Sequence, residues 1–475
     1  MDIIGRKAER DELERIYNSD GSKFVAVYGR RRVGKTFLIK EHFKDRLTFW
    51  HTGLSPYGRD KKYLLRDQLQ AFYYSLQDYG LEGATCPKSW LEAFRLLEKL
   101  LMQQDDGSRQ VVFIDELPWM DTARSRFIPA FEHFWNGWAS KRDNILLIVC
   151  GSATSWMEDN LINNKGGLYN RLTHEIKLSP FSLAESEQFF KAKQMNMSRY
   201  EVAQVYMVFG GIPHYLDLFE KGLSTPQNID RILFDKNAKL RNEFDRLFGS
   251  LFKNAENHIA VVRLLAKRRN GFTRQEIVQE TGIQQGGGVT LILKGLIESD
   301  FITSYIPFGE KRIEKYRLVD PYCLFYLSFI DQRQIDPQYW EKNYNSPRLN
   351  AWRGYAFEEL CFSQIDKIKQ RLSIGGVSST QSSWVVSADG KQQMQIDMLI
   401  DRADNVINLC EIKFYSAPFT IDKQYDAVLR ERVQLLIEKV PRKKTVHLTL
   451  IATFGLKANE YSGQVQSVVT LDDLF

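Results

Sequence analysis

The chain has 475 residues, which at about 150 residues per domain suggests about three domains. Its 43% apolar, 26% charged and 13% aromatic residues exclude a disordered tail protein, a collagen-like fibre and a small disulfide scaffold. The net charge of +6 is mild: residues 351–475 hold 15 Lys+Arg against 15 Asp+Glu, so the first 350 carry the whole excess, 50 against 44. A dedicated nucleic-acid coat would be more basic.

No apolar run approaches the ~18–20 residues needed to cross a bilayer, so no membrane partner is expected. The opening MDIIGRKAERDELERIY lacks the continuous apolar stretch of a signal peptide. Cys86, Cys150, Cys323, Cys361 and Cys410 are odd in number and form no CxxC pair, which points to a reducing, cytoplasmic location.

Residues 1–185 alternate strand-like runs with helical patterns. KFVAVY (Lys23–Tyr28), Leu47–Trp50, QVVFI (Gln110–Ile114) and NILLIVC (Asn144–Cys150) are short, apolar and bounded by turn signals. Helical stretches at Tyr63–Tyr79 and Ser89–Gln104 separate them, which predicts an α/β fold with a parallel sheet. Between 186 and 255 strand signals nearly vanish and amphipathic helices dominate. Residues 256–335 then give three short helices (His258–Arg269, Thr273–Thr281, Gly288–Asp300) and two strands, FITSYIPF and KYRLVD. A winged helix-turn-helix is the expectation. The polar stretch DQRQIDPQYWEKNYNSPR reads as a linker to an α/β unit at 350–475.

Gly29-Arg30-Arg31-Arg32-Val33-Gly34-Lys35-Thr36 fits GxxxxGK[ST] between a strand and a helix, the context that confirms a phosphate loop. Its backbone N–H groups and the helix N-terminus would cradle the phosphates of ATP. Lys35 would reach the β- and γ-phosphates, and Thr36 would hold Mg²⁺ through its hydroxyl. Asp115 and Glu116 end a buried strand, where ligands bind in open α/β sheets. Asp115 would orient the magnesium shell and Glu116 would polarise the attacking water; the alternative is an acidic pair capping the next helix. Ser152, ending NILLIVCGS, is either a sensor of the γ-phosphate or the N-cap of the following helix. Arg171 is either an arginine finger for a neighbouring subunit, implying a nucleotide-dependent homo-oligomer, or an exposed arginine.

These motifs resemble the AAA+/STAND-related archaeal-type ATPases. The matching residues are Ile4-Gly5-Arg6 with Glu9, GRRRVGKT, FIDELPWM, CGSATSWM, the NR of Tyr169–Leu172 and GGIPHYL from Gly210. The resemblance covers residues 1 to about 330. It implies a P-loop ATPase domain over 1–185, a helical lid over 186–255 and a winged helix over 256–335. It also implies an adenine-side box at Gly5 and Arg6, and a lid turn that brings Pro213 near the nucleotide.

In the third helix of the expected winged helix, Lys294 is the one cation, against Glu298 and Asp300. Gln284, Gln285 and Thr290 are its plausible base readers. Lys311, Arg312, Lys315 and Arg317 on the wing are placed to follow a phosphate backbone of double-stranded DNA. The alternative is a module that packs against the nucleotide domain and touches no nucleic acid.

MQIDMLID, the turn DRADN and VINLCEIKFY read as a hairpin. A turn centred near Asp404 places Asp397 opposite Glu411, with Lys413 on the same face and Ile412 towards the core. Facing carboxylates need a compensating charge, and a divalent cation supplies it. Asp-x13-Glu-x-Lys resembles the PD-(D/E)xK nuclease core of restriction-endonuclease-like domains. The resemblance implies that Asp397 and Glu411 bind metal, that Glu358 of GYAFEEL joins the metal set and that Lys413 positions the attacking water. No Pro precedes Asp397 and the segment is electrically neutral, both departures from the pattern. Two alternatives stand beside it: a solvated hairpin neutralised by Lys413, and a nuclease fold that has lost cleavage and binds a partner in a nucleotide-gated switch.

Overall fold

The structure, a computed structural model, describes residues 3–56, 60, 64–163, 166–252, 254–331, 336–388 and 391–475. The chain forms two compact units. The first comprises Met1–Phe181, Ile212–His214 and Asp245–Ala255; the second comprises Ser182–Gly211, Tyr215–Phe244 and Glu256–Phe475.

Among the described residues, the first unit holds a five-stranded parallel sheet. Its strands are β1 (Lys23–Tyr28), β2 (Leu47–Thr52), β3 (Gln110–Asp115), β4 (Ile145–Gly151) and β5 (His174–Lys177), in the order β2-β3-β4-β1-β5. β3 and β4 are buried at every position, which explains why their sequences are continuous apolar runs rather than alternating ones. Helices Leu64–Asp78, Trp90–Gln103 and Phe127–Gly137 supply Phe72, Trp90, Phe94, Phe127 and Phe131 to the core. Ser89, expected inside its helix, is the N-cap, its hydroxyl accepting from Glu92 N. Tyr63, the expected start of the preceding helix, lies outside the described residues.

The second unit opens with helices Leu183–Ala192 and Arg199–Phe209, each started by a Ser–Glu capping box. The second of these stops at Gly210, whose φ of 67° is followed by 69° at Gly211. Helices Ala255–Leu265, Arg274–Thr281 and Gly287–Glu298 follow. With them goes a small antiparallel sheet of β6 (Phe272–Thr273), β7 (Ile302–Tyr305) and β8 (Lys315–Leu318), in the order β6-β8-β7. β6 was invisible in the sequence because two residues carry no periodicity.

Two expectations are corrected here. Residues 332–335 of the expected linker lie outside the described residues, but the rest is not free chain. Trp340 is buried, and the buried Asp230 carboxylate accepts from the backbone N–H groups of Trp340 and Glu341. Arg317 does not face a phosphate path: it bonds Glu359 Oε1 at 2.9 Å, with both side chains largely buried, and lies over the Phe362 ring.

Helix Pro347–Ser363 precedes a mixed sheet of β9 (Ser379–Ala388), β10 (Lys391–Arg402), β11 (Val406–Lys413), β12 (Thr445–Ala452) and β13 (Ser467–Thr470). The order is β13-β12-β11-β10-β9, antiparallel across β9-β10-β11 and parallel across β11-β12-β13. Helix Lys423–Lys439 connects β11 to β12 and packs Leu429 and Leu436 on Leu409, Leu448 and Leu450. Among the described residues, no helix is long and apolar enough to cross a membrane.

Arg317→Met should destabilise the second unit by about 3–5 kcal/mol, because Glu359 would remain buried without its cation. Adding Glu359→Met should recover most of the loss. Denaturant unfolding of the single and double variants checks both statements.

Candidate functional site

The end of β1 turns directly into the phosphate loop. Gly29 has φ 137°, and a Cβ there would stand 2.4 Å from the Leu178 carbonyl oxygen, so only glycine fits this close approach. Arg32 and Gly34 adopt positive φ, 71° and 92°, which folds the loop back over the N-terminus of helix Lys35–His42. Arg30 and Val33 are buried, while Arg31 and Arg32 are half-buried. Arg6 supports the loop from below: it is buried, donates to Val33 O at 3.2 Å and lies over the Phe181 ring. Gly5, just before it, also has a positive φ of 65°.

Lys35 Nζ donates to the carbonyls of Gly29 and Arg30, both at 2.9 Å. Burial lowers its pKa, with Glu116 pulling in the opposite direction. Thr36 Oγ1 donates to Asp115 Oδ2 at 2.8 Å. Burial, then the neighbouring Glu116, raises Asp115 to about 6. A buried ammonium beside this hydroxyl–carboxylate pair suits a magnesium-bound triphosphate. Lys35 would meet its phosphates, and Thr36 and Asp115 would hold Mg²⁺, which neutralises charge on the phosphates when bound.

Strand order decides what else reaches this point. β4 lies between β1 and β3, so its last residues stand between the phosphate loop and the acidic pair. Ser152 Oγ donates to Glu116 Oε1 at 2.7 Å, and Ser152 N to Glu116 Oε2 at 3.3 Å. Neither residue caps a helix with its side chain: Ala153 precedes the helix after Ser152, and Glu116 makes no capping bond. Asp115 Oδ1, in turn, accepts from the backbone N–H of Glu116 at 3.0 Å. Gly53, missed in the sequence, packs against the same strand end: its N–H donates to Asp115 O at 3.0 Å.

Arg171 is exposed, in the turn before β5. Thr173 N bonds Phe24 O and His174 pairs with Val25, so Arg171 lies at the N-terminal end of β1, opposite the phosphate loop. That position cannot serve the chain's own phosphates. Pro213 begins the short helix Pro213–Leu216 and groups, with Ile212 and His214, in the unit that holds the phosphate loop.

The second charged centre lies in the second unit. β10 and β11 pair Met398 with Cys410 and Asp401 with Ile407, the register expected for a turn near Asp404. Asp397 Oδ2 accepts from Ile412 N at 3.0 Å, and Ile412 itself is buried. Glu411 is 1% exposed and accepts from Lys413 Nζ at 2.7 Å, from Tyr425 OH and from Arg432 Nη1. Burial alone would raise Glu411, but Lys413 and Arg432 outweigh it and its pKa is lowered. Burial, then Glu411, raises Asp397 to about 6; burial, then Asp397, raises Glu358 to about 8.

Tyr425 and Arg432 were missed in the sequence. Their spacing of seven residues on one helix was the available signal, because it puts both on one face. Among the described residues, no three His, Cys, Asp or Glu side chains are placed to share a metal ion. The expected set of Glu358, Asp397 and Glu411 is therefore not assembled as three ligands, since Glu411 turns to its two cations and tyrosine.

A parallel sheet carrying a glycine-strained phosphate loop, a threonine–aspartate pair and a serine-held glutamate defines a P-loop ATPase. Residues 4–219 match the family described as an ATPase domain predominantly from Archaea, and the chain carries an ATPase domain of that archaeal type. An uncharacterized protein of Methanocaldococcus jannaschii is 25% identical over 363 residues, 75% of this chain and 76% of its own length. An uncharacterized ATP-binding protein of the same organism is 44% identical over 44 residues, 9% of this chain and 75% of that protein. Among solved structures, the Walker-type ATPase of Pyrococcus abyssi aligns with 18% identity and a TM-score of 0.47, over 69% of this chain and 96% of its own. The Aeropyrum pernix ORC2 protein aligns with 15% identity and a TM-score of 0.41, over 69% and 93%.

Lys35→Ala should abolish ATP binding, and Glu116→Gln should keep ATP while losing hydrolysis. Ser152→Ala, which frees Glu116, should slow hydrolysis by about 100-fold at unchanged ATP affinity. Equilibrium binding with single-turnover hydrolysis separates the three outcomes.

Proposed function

We propose that the chain is an ATP-hydrolysing switch of the AAA+/STAND type that acts on DNA through a winged helix and a metal-dependent, nuclease-like C-terminal domain. The observation that carries the switch reading is the Ser152–Glu116 pair at 2.7 Å, beside Thr36–Asp115 at 2.8 Å. Lys35 and the loop bind the phosphates, Asp115 and Thr36 hold Mg²⁺, and Glu116 takes up the proton of the attacking water. Ser152 couples that base to the strand next to the phosphate loop. Arg171, unable to reach its own site, acts on a neighbouring copy in a nucleotide-dependent oligomer.

For the C-terminal half, the reading rests on Asp397, Glu411 and Lys413 meeting at one place on a β-hairpin. The carboxylate donor set suits a hard divalent cation, whose charge would lower the pKa of a bound water. Lys413 and Arg432 neutralise Glu411 in its place. The helix–wing module has the element order of a winged helix: a helix, a two-residue strand, two further helices and a hairpin.

One set of observations favours a second reading, a nucleotide-gated interaction protein. The Glu411 carboxylate is already satisfied by protein groups, and Arg317 is spent on Glu359. Thr290 accepts from Arg274, Lys294 pairs with Glu298, and Leu291 between them is 65% exposed. An outward leucine suits a protein surface better than a DNA groove.

Two measurements test this. Turnover per chain should rise with protein concentration and fall in Arg171→Ala at unchanged ATP affinity; concentration-independent turnover would remove the finger. Wild type with Mn²⁺ should cut supercoiled or linear DNA, and Asp397→Ala and Lys413→Ala should each abolish cutting. A wild type that never cuts, with no metal binding by calorimetry, leaves the interaction reading.

A further inference from the structure

The lid helix Arg199–Phe209 belongs to two parts of the molecule at once. By sequence it lies inside the 4–219 ATPase match, but by packing it belongs to the unit that contains the C-terminal sheet. Its first turn is fastened there. Arg199 pairs with Asp472 at 3.1 Å and lies 4.8 Å from the centroid of the Phe475 ring. Tyr200 stacks on Phe414, with centroids 4.9 Å apart and planes at 11°, and leans on Phe454 at 5.5 Å. One turn further, Gln204 Oε1 accepts from Tyr344 OH at 3.2 Å.

Phe414 is not a remote contact. It directly follows Lys413, which holds Glu411, and it packs at 5.1 Å on Phe357, which directly precedes Glu358. One aromatic ring thus touches the backbone neighbours of both the strand side and the helix side of the charged centre. The other end of the lid helix, about 16 Å away, is the Gly210–Gly211 pair. Both glycines sit in the left-handed region, and at Ile212 the chain passes into the unit of the phosphate loop.

We infer that the lid helix is the transmission element of the switch, with Tyr200 and Phe414 as positioning residues that couple nucleotide state to the Lys413–Glu411 and Glu358 groups. The inference rests on the ATP-switch reading and is independent of whether the C-terminal domain cuts DNA. The helix is fastened at its first turn and packed along its length on helices Leu183–Ala192 and Pro321–Phe329, so it moves with them as one body. Any shift at the glycine end then reaches the Tyr200–Phe414 stack. Packed rings have discrete arrangements rather than a continuum, so such a shift is passed on instead of absorbed.

The experiment is hydrogen exchange read by mass spectrometry on the full chain. Glu116→Gln with Mg-ATP is compared with wild type plus ADP, over peptides covering 354–363 and 411–420. Nucleotide should change exchange in both segments by about fivefold or more, the lower range of allosteric coupling. Tyr200→Ala should remove the difference while ATP still binds, Tyr200→Phe should keep it, and Phe414→Leu, which stays apolar but loses the ring, should weaken it. Flat exchange in a protein that binds and hydrolyses ATP overturns the relay while leaving the switch intact. So does an undiminished response in both Tyr200→Ala and Phe414→Leu. Failure of ATP binding itself would sink the switch reading, and DNA cutting does not enter the readout.

Discussion

Two adjacent carboxylates, Asp115 and Glu116, end a strand that is buried along its whole length. Much of the first unit's architecture follows from making that arrangement tolerable. Burial pushes Asp115 up to about 6, so the site must supply donors to keep the pair functional. Thr36, on the phosphate-loop helix, donates to Asp115, and Ser152, directly after β4, donates to Glu116. The two donors follow different strands, β1 and β4, and the order β2-β3-β4-β1-β5 brings both to the end of the sheet where β3 carries its carboxylates. A sheet with β3 next to β1 would leave Glu116 without Ser152. The strand order is therefore part of the chemistry.

The second unit meets the same problem differently. Glu411 is buried and Asp397 and Glu358 are half-buried, but here the compensation is cationic rather than hydroxyl: Lys413 and Arg432 bracket Glu411, and Tyr425 adds a hydroxyl donor. Their combined field outweighs burial at Glu411, whereas Asp397 and Glu358 remain raised. One carboxylate thus loses its proton more readily than usual while its neighbours keep theirs to higher pH. Such separation of pKa values among nearby acids is common at functional sites, though structural ion-pair networks produce it too. The Arg317–Glu359 pair continues the pattern one residue beyond Glu358 and draws a wing cation inwards.

The sequence was most informative where a motif and its secondary structure had to agree. The phosphate loop could be read because GxxxxGK[ST] has no room for substitution between a strand and a helix, and the hairpin register because a turn fixes every pair beyond it. The Ser152–Glu116 bond was only half legible: the position of Ser152 was visible, but its choice between cap and sensor depended on strand order. Arg432 and Tyr425 were hidden because a helix face reads as ordinary amphipathicity until its partner sheet is known. The wing was misread at Arg317 for the same reason. A cation on an exposed-looking strand looks free in sequence, and only the packing of helix Pro347–Ser363 reveals Glu359 beside it.

The lid helix shows why domain boundaries are a poor guide in such a chain. An eleven-residue helix is near the limit of what stands alone in water, so its stability must come from what it packs against. Here the partners include the loop after β11, the turn before helix Pro347–Ser363 and the chain terminus, through Tyr200, Gln204 and Arg199. The ATPase family match includes this helix, yet its folding free energy is drawn largely from the other half of the chain. Disturbing that half therefore loosens an element that the ATPase domain counts as its own. Thermodynamic linkage makes the relation reciprocal: whatever nucleotide does to the C-terminal packing, that packing does in equal measure to nucleotide affinity.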